Sequence, residues 1–169
     1  MSGVRPIIAR PMPSIRAIAA LGDIDPLHAR LFAMRGLTAP GELDYGLANL
    51  APIGALENID AAAELVIANR DKKIIVVGDF DVDGATSTAL VLRCLREFGF
   101  ADVDYLVPNR FDYGYGLTPE IVRVAAGQSP SLLITVDNGV SSIAGVATAN
   151  ELGIPVLVTD HHLPGAELP

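Results

Sequence analysis

The chain has no tryptophan, a single cysteine and only 5% aromatic residues. One cysteine excludes an internal disulfide, and Cys94, set among Leu90, Val91 and Leu95, reads as a core thiol and not a nucleophile. No apolar run reaches the 18 residues of a membrane span. The start carries Arg5, Arg10 and Arg16 among Pro6, Pro11 and Pro13, without the apolar core of a secretory signal. A cytoplasmic location without membrane association is the expectation. Basic charge is also scarce. A net charge of -8 is not the footprint of a protein that grips nucleic acid by bulk electrostatics. What is present is apolar: half of the 169 residues are hydrophobic, enough for one domain with a real core. The charge is unevenly spread. Residues 1–78 balance 8 basic against 8 acidic residues, whereas residues 79–169 hold 4 against 12. A polyanionic substrate would need bound cations there, or basic surface from elsewhere.

The acidic half opens on Gly78-Asp79-Phe80-Asp81-Val82-Asp83-Gly84, directly after the apolar run Ile74 to Val77. If that segment stays extended, Asp79, Asp81 and Asp83 share one face. Like charges held close take up protons or recruit a cation, and oxygen ligands suit magnesium or manganese. Alternating aspartates on an edge strand are also compatible with a simple solvated face. An EF-hand loop fails a direct count, because its twelfth position from Asp79 is Leu90 where a bidentate Glu belongs.

Before this stretch the pattern is helical and carries no chemistry. A Pro-rich arm over residues 1–14 precedes helical spacing from Ser14 to about Leu21 and from Pro26 to Met34, with Gly36 as a stop. Thr38 and Pro40 predict a short helix to about Leu47, and another starts near Asp60 with Ala63, Leu65, Val66 and Ile67. His28 has no acidic or histidine partner at helical spacing and reads as a helix surface or packing residue.

From Lys73 the pattern becomes strand, loop, helix, repeated. Strands are predicted over Lys73 to Val77, Asp102 to Val107, Leu132 to Val136 and Ile154 to Val158. Helices are predicted from Thr86 and Ser87 to Gly99, from Thr118 and Pro119 to about Ala126, and from Ser141 and Ser142 to about Leu152. The fold class expected is α/β, a parallel sheet with helices on both faces, preceded by a small helical N-terminal region. Residues 1–72 form the arm and helical region and residues 73–169 the α/β domain.

Each strand hands polar groups to the same edge: Asp79, Asp81 and Asp83 after the first, Asn109 and Arg110 after the second, Asp137 and Asn138 after the third, Asp160, His161 and His162 after the fourth. In an open parallel sheet, ligands bind outside the carboxyl ends of the strands. Aspartates with histidine suit one or two divalent ions, manganese over zinc because carboxylate dominates. Asp137, alone on its strand end, is placed to bridge two ions. A pair about 3.5 to 4 Å apart is the usual arrangement for phosphate ester cleavage. In the loop from Pro108 to Gly116, Arg110 could pair with a phosphate and the tyrosines could stack on bases; a Gly-rich turn with an arginine salt bridge fits its composition equally.

These residues closely resemble the DHH phosphoesterase superfamily and, within it, the RecJ family of single-strand-specific DNA exonucleases. Gly78 to Ser87 resembles the first motif, and Pro108-Asn109-Arg110 with Gly114-Tyr115-Gly116 the second. Thr135-Val136-Asp137-Asn138-Gly139 resembles the third, and Thr159-Asp160-His161-His162 the fourth. Arg35-Gly36-Leu37-Thr38 resembles the RecJ-type region ahead of them. The resemblance implies that Asp81, Asp83, Asp137 and His161 ligate Mn²⁺ or Mg²⁺, two ions in the full-length protein, with Asp79 a ligand or close neighbour. It also implies that Asp160 orients His161 and that His162 faces the substrate phosphate. The reaction implied is 5′-to-3′ hydrolysis of single-stranded DNA in recombination and repair, with a helicase and a single-strand-binding protein as partners.

The family's downstream metal-binding Asp and DNA-holding domains have no counterpart before Pro169. The expectation is an N-terminal part of a longer nuclease that binds metal weakly and cleaves poorly or not at all. Two other readings compete: a DHH-type phosphoesterase of short oligonucleotides or cyclic dinucleotides, and a non-catalytic replication scaffold. The RecJ-like helical region weighs against the first. Clustered, mutually repelling carboxylates weigh against the second.

Overall fold

The computed structural model describes residues 8–169. The first half of the Pro-rich arm lies outside the described residues, and 8–14 carry no regular secondary structure. The chain divides into two compact units, one ending at Leu56 and one running from Glu57 to Pro169.

In the first unit, helix α1 (Ile15–Ala19) is capped by Ser14, whose Oγ accepts from the Ala17 amide at 3.1 Å. Helix α2 (Pro26–Ala33) is capped by Asp25 and begins on a proline, which lacks the amide a helix start leaves unpaired. His28 is exposed on it. The helix predicted from Thr38 to Leu47 is instead a 3-10 turn over Pro40–Leu43, followed by others at Leu47–Asn49 and Ile53–Ala55. The early stop lies at Asp44, which is extended and whose carboxylate accepts from the Gly46 amide at 2.9 Å, while the Glu42 carboxylate caps the start of the turn. Glu42 folds back onto the Thr38 and Ala39 amides and the Thr38 hydroxyl, and these bonds lower its pKa.

The second unit is built on strands β1 (Ile74–Val77), β2 (Val103–Leu106), β3 (Leu132–Val136) and β4 (Val156–Thr159), all parallel, in the order β2-β1-β3-β4. Every residue of β1 and β3 is buried, which is why both read as continuous apolar runs without alternation. Ile74, Val76, Leu132 and Ile134 pack on one face with Leu92 and Leu95 of helix α4 (Val82–Glu97). Ile75, Val77 and Leu133 pack on the other with Ile121, Val122 and Ala125 of helix α6 (Pro119–Ala126) and Ala149 of α7 (Ile143–Glu151). Helix α3 (Ile59–Ile67) belongs with this unit, since its Leu65 and Val66 pack against the sheet core. The sequence division at Lys73 placed that helix with the N-terminal region. Among the described residues, no helix is long and apolar enough to cross a membrane.

Two local differences bear on the site. Helix α4 starts at Val82, four residues before the expected start at Thr86. Asp81 caps it by accepting from the Gly84 amide at 3.1 Å, and the Thr86 and Ser87 hydroxyls turn back to the Val82 and Asp83 carbonyls. The acidic run therefore does not stay extended. Asp79 leaves the strand, Asp81 caps the helix and Asp83 lies in its first turn. Secondly, the Gly-rich loop contains one helical turn, α5 (Arg110–Tyr113), capped by Asn109.

Helix α4 also passes so close to the Asp79 backbone that a Cβ on Gly84 would overlap it. Gly84→Ala is expected to push helix and acidic segment apart, costing about 1–3 kcal/mol as for other overpacked sites. Thermal melting gives the loss of stability, and manganese calorimetry on the same variant reports the displaced carboxylates.

Candidate metal centre

β1 lies between β2 and β3, so the order of strands reverses at the β1/β3 boundary and opens a crevice at their carboxyl ends. Into that crevice β1 delivers Asp79 and Asp81, β3 delivers Asp137, and β4 delivers Asp160, His161 and His162. Asp137 enters through a left-handed backbone, φ +61°, which short polar side chains tolerate better than most. Its carboxylate is buried, and its Oδ1 accepts from Nε2 of His161 at 2.9 Å. One carboxylate oxygen each of Asp79, Asp81 and Asp137 lie within 4.8 Å of one another. Asp137, His161 and His162 offer a second such group. Asp137 belongs to both. Asp83 belongs to neither, but with Asp137, Asp160 and His161 it lines an adjoining cavity of about 510 Å³.

Charge in the crevice is balanced unevenly. Burial pushes the Asp137 carboxyl up, and neighbouring Asp81 adds to the rise despite the His161 hydrogen bond. Asp81 is held low, chiefly by the Gly84 amide and then by Arg110. Burial alone would raise Asp160, yet the amides of Val140, His161 and His162 and the His162 ring together keep it low. The His162 ring is pushed up, first by its hydrogen bond to Asp160.

Three expected roles look different in place. Arg110 does not stand free for a phosphate: its guanidinium pairs with both oxygens of Asp79, lies 3.6 Å from Asp81, and is flanked by the rings of Phe80 and Tyr115 at 4.2 and 4.9 Å. Asp79 is correspondingly engaged by Arg110. Asp160 bonds the ring of His162, Nδ1 to Oδ1 at 2.7 Å, and meets His161 only at its backbone amide. The cause is local. β4 ends at Thr159, and Asp160 then caps the two following amides, which swings the second histidine ring onto it. The His161 ring reaches Asp137 instead.

The sequence reading missed Tyr115 as a bracket for this site. Its hydroxyl donates to the Asp137 carbonyl at 3.2 Å and lies 3.3 Å from Nδ1 of His162, while its ring faces Arg110. Its signal was its place in the Gly114-Tyr115-Gly116 motif; both glycines take positive φ, in a loop whose partners lie far along the chain.

Comparison with known proteins gives the site its family. Residues 73–169 match the model of the DHH family, N-terminal domain. The chain belongs to the DHH family. Among relatives of this DHH chain, the single-stranded-DNA-specific exonuclease RecJ of Escherichia coli is 51% identical over 149 residues, 87% of this chain and 26% of that protein. RecJ of Thermus thermophilus is 38% identical over 160 residues, 94% of this chain and 23% of that protein. The DHH chain thus spans about a quarter of the length of these curated relatives. Among solved structures, T. thermophilus RecJ in complex with Mn²⁺ aligns with a TM-score of 0.58 at 36% identity, covering 91% of this chain and 22% of that one. A second exonuclease RecJ bound to manganese aligns at 0.58 and 41% identity, covering 65% of this chain and 28% of that one.

Proposed function

We propose that this chain carries the metal centre of a RecJ-type exonuclease that hydrolyses single-stranded DNA. The observation that carries the reading is Asp137 shared between two three-residue ligand groups, an arrangement suited to a pair of cations held side by side. The donor set, mostly carboxylate with imidazole, fits Mn²⁺ or Mg²⁺. Manganese in the two similar RecJ structures supports that choice.

Asp81, Asp137 and His161 would hold the ions, with Asp83 at the cavity wall and Asp79 available from its pair with Arg110. Such ions, when bound, lower the pKa of water and stabilise charge on phosphate oxygens. In the reaction a water oxygen adds to phosphorus, the bond from phosphorus to the leaving sugar oxygen breaks, and that oxygen takes up a proton. His162 suits delivery of a hydrogen bond or proton to the phosphate. Asp160 holds its Nδ1, which turns Nε2 outward and favours the protonated ring. Asp160 thus positions His162 and the loop amides rather than ligating. Arg110 can exchange its carboxylate partners for a phosphate, and exposed Phe111 and Tyr113 beside it offer stacking surfaces for bases. Single-stranded DNA is the partner this reading requires; roles in recombination and repair, with helicase and single-strand-binding partners, follow from the same resemblance.

The test combines manganese calorimetry with release of nucleotides from a 5′-labelled single strand. Saturable manganese binding by this chain is expected. Cleavage is expected from the full-length protein and not from duplex DNA of the same sequence. Absence of manganese binding, or equal cleavage of duplex, would refute the proposal.

A further inference from the structure

Asn138 follows Asp137 and is 1% exposed. Its Nδ2 donates to two carbonyls on different strands, Val77 at 3.1 Å and Val136 at 2.9 Å. Val77 is the last residue of β1 and Val136 the last of β3. Its Oδ1 has no partner among the described residues. For stability alone this is a poor choice, since a buried amide with an unpaired oxygen forfeits hydration that a leucine of similar volume never needed. What the amide supplies is a tie across the two strand ends where regular pairing stops. Asp79 and Asp137 emerge two residues beyond one tied carbonyl and one beyond the other. The left-handed turn at Asp137 is what sends the next side chain inward to make the tie.

We infer that Asn138 is a positioning residue for the carboxylate cluster, setting the separation of Asp79 and Asp81 from Asp137 by pinning the ends of β1 and β3 together. This rests on the reading of the cluster as a cation site, but adds a role for a residue that touches neither cation nor phosphate. A side chain acting only as core filler would change stability and cation affinity together. A positioning residue changes affinity out of proportion to stability.

The experiment measures melting temperature without metal and manganese affinity by calorimetry for the chain, Asn138→Leu and Leu92→Ala. Leu92 packs in the sheet core from α4 and takes no part in the amide's hydrogen bonds, so its variant sets the affinity lost through destabilisation alone. Asn138→Leu is expected to bind manganese at least about tenfold more weakly while melting no lower than Leu92→Ala. A second measurement needs no substitution. In the unsubstituted chain, the Asn138 side-chain amide protons should exchange slowly and shift during Mg²⁺ titration with the same midpoint as the Asp79 and Asp137 amides. Parental affinity in Asn138→Leu, or a loss no larger than that of Leu92→Ala, overturns the inference and leaves the cation site standing. Should Asn138→Leu fail to fold, fast-exchanging or unshifted amide protons overturn it alone. No manganese binding by the unsubstituted chain overturns both.

Discussion

Asp137→Asn is expected to abolish manganese binding and, in the metal-free chain, to raise the melting temperature. The two effects have one origin. Asp137 is buried beside Asp81, and its carboxyl is pushed above its ordinary value, first by burial. A carboxyl raised on folding adds stability while protonated, below its unfolded pKa, and loses that contribution as pH climbs through the folded pKa. At neutral pH the charge therefore weighs against the fold. Asparagine removes the charge, keeps the size, can still accept from His161 and is at ease in the left-handed backbone. It also deletes the only residue common to both ligand groups. The expected gain is roughly 2–4 °C at neutral pH, the shift about 1 kcal/mol produces in a domain of this size. It shrinks toward zero in acid, where the parent carboxyl is protonated too. Calorimetry with manganese and melting curves across pH check both halves. A variant that still binds two ions would contradict the bridging role, and one that melts lower at neutral pH would contradict the account of burial.

Asp160→Ala should have the largest cost in stability. The carboxylate accepts from three backbone amides and the His162 ring, and its side chain is only 3% exposed. Truncation leaves three loop amides and the His162 ring without their acceptor, and a loss of about 3 kcal/mol is in keeping with charge-assisted bonds to a buried carboxylate. That corresponds to a fall of roughly 6–12 °C. The pH signature is opposite to that of Asp137. Asp160 is held below its ordinary value, so its contribution is present above the unfolded pKa and is lost as pH falls through the folded one. The difference between parent and variant should be full at neutral pH and disappear in acid. Asp160→Asn, which can accept one bond but repels donors at its other atom, should fall between them. A pH-independent gap would mean that the carboxylate's charge is not what the amides hold.

The sheet and the convergence of its strand ends were legible because both depend on features a sequence displays directly. Ile74 to Val77 and Leu132 to Val136 are unbroken apolar runs, and polar residues follow each strand at once. What could not be read depends on contacts that close in space. Alternation of Asp79, Asp81 and Asp83 suggested one extended face, but an aspartate shortly past a strand can also cap a helix, and the Gly84 amide decides for the cap. The partner of Asp160 was assigned to the wrong neighbour because adjacent histidines are indistinguishable until the turn between them is built. For Arg110 a phosphate and a salt bridge fit the composition equally, and nothing in the chain announces that Asp79 is the carboxylate within its reach. Tyr115 and Asn138 lie within the second and third motifs, but they act through carbonyls, groups that every residue carries, so the motif shows the residue and not its partner.

β1 and β3 are sheet neighbours, yet α4, β2, α5 and α6 lie between them in the chain. A pairing of such long sequence separation closes late in folding, after the more local strand and helix contacts. Until it closes, Asp79 and Asp81 stay remote from Asp137, and the three-carboxylate group does not exist for a divalent ion to join. The repulsion of the cluster is thus absent while the chain is searching and arises only as the last strands meet. Cations that bind the finished crevice act on this unfolding barrier rather than on the search: they lengthen the lifetime of the native state and leave the rate of reaching it unchanged.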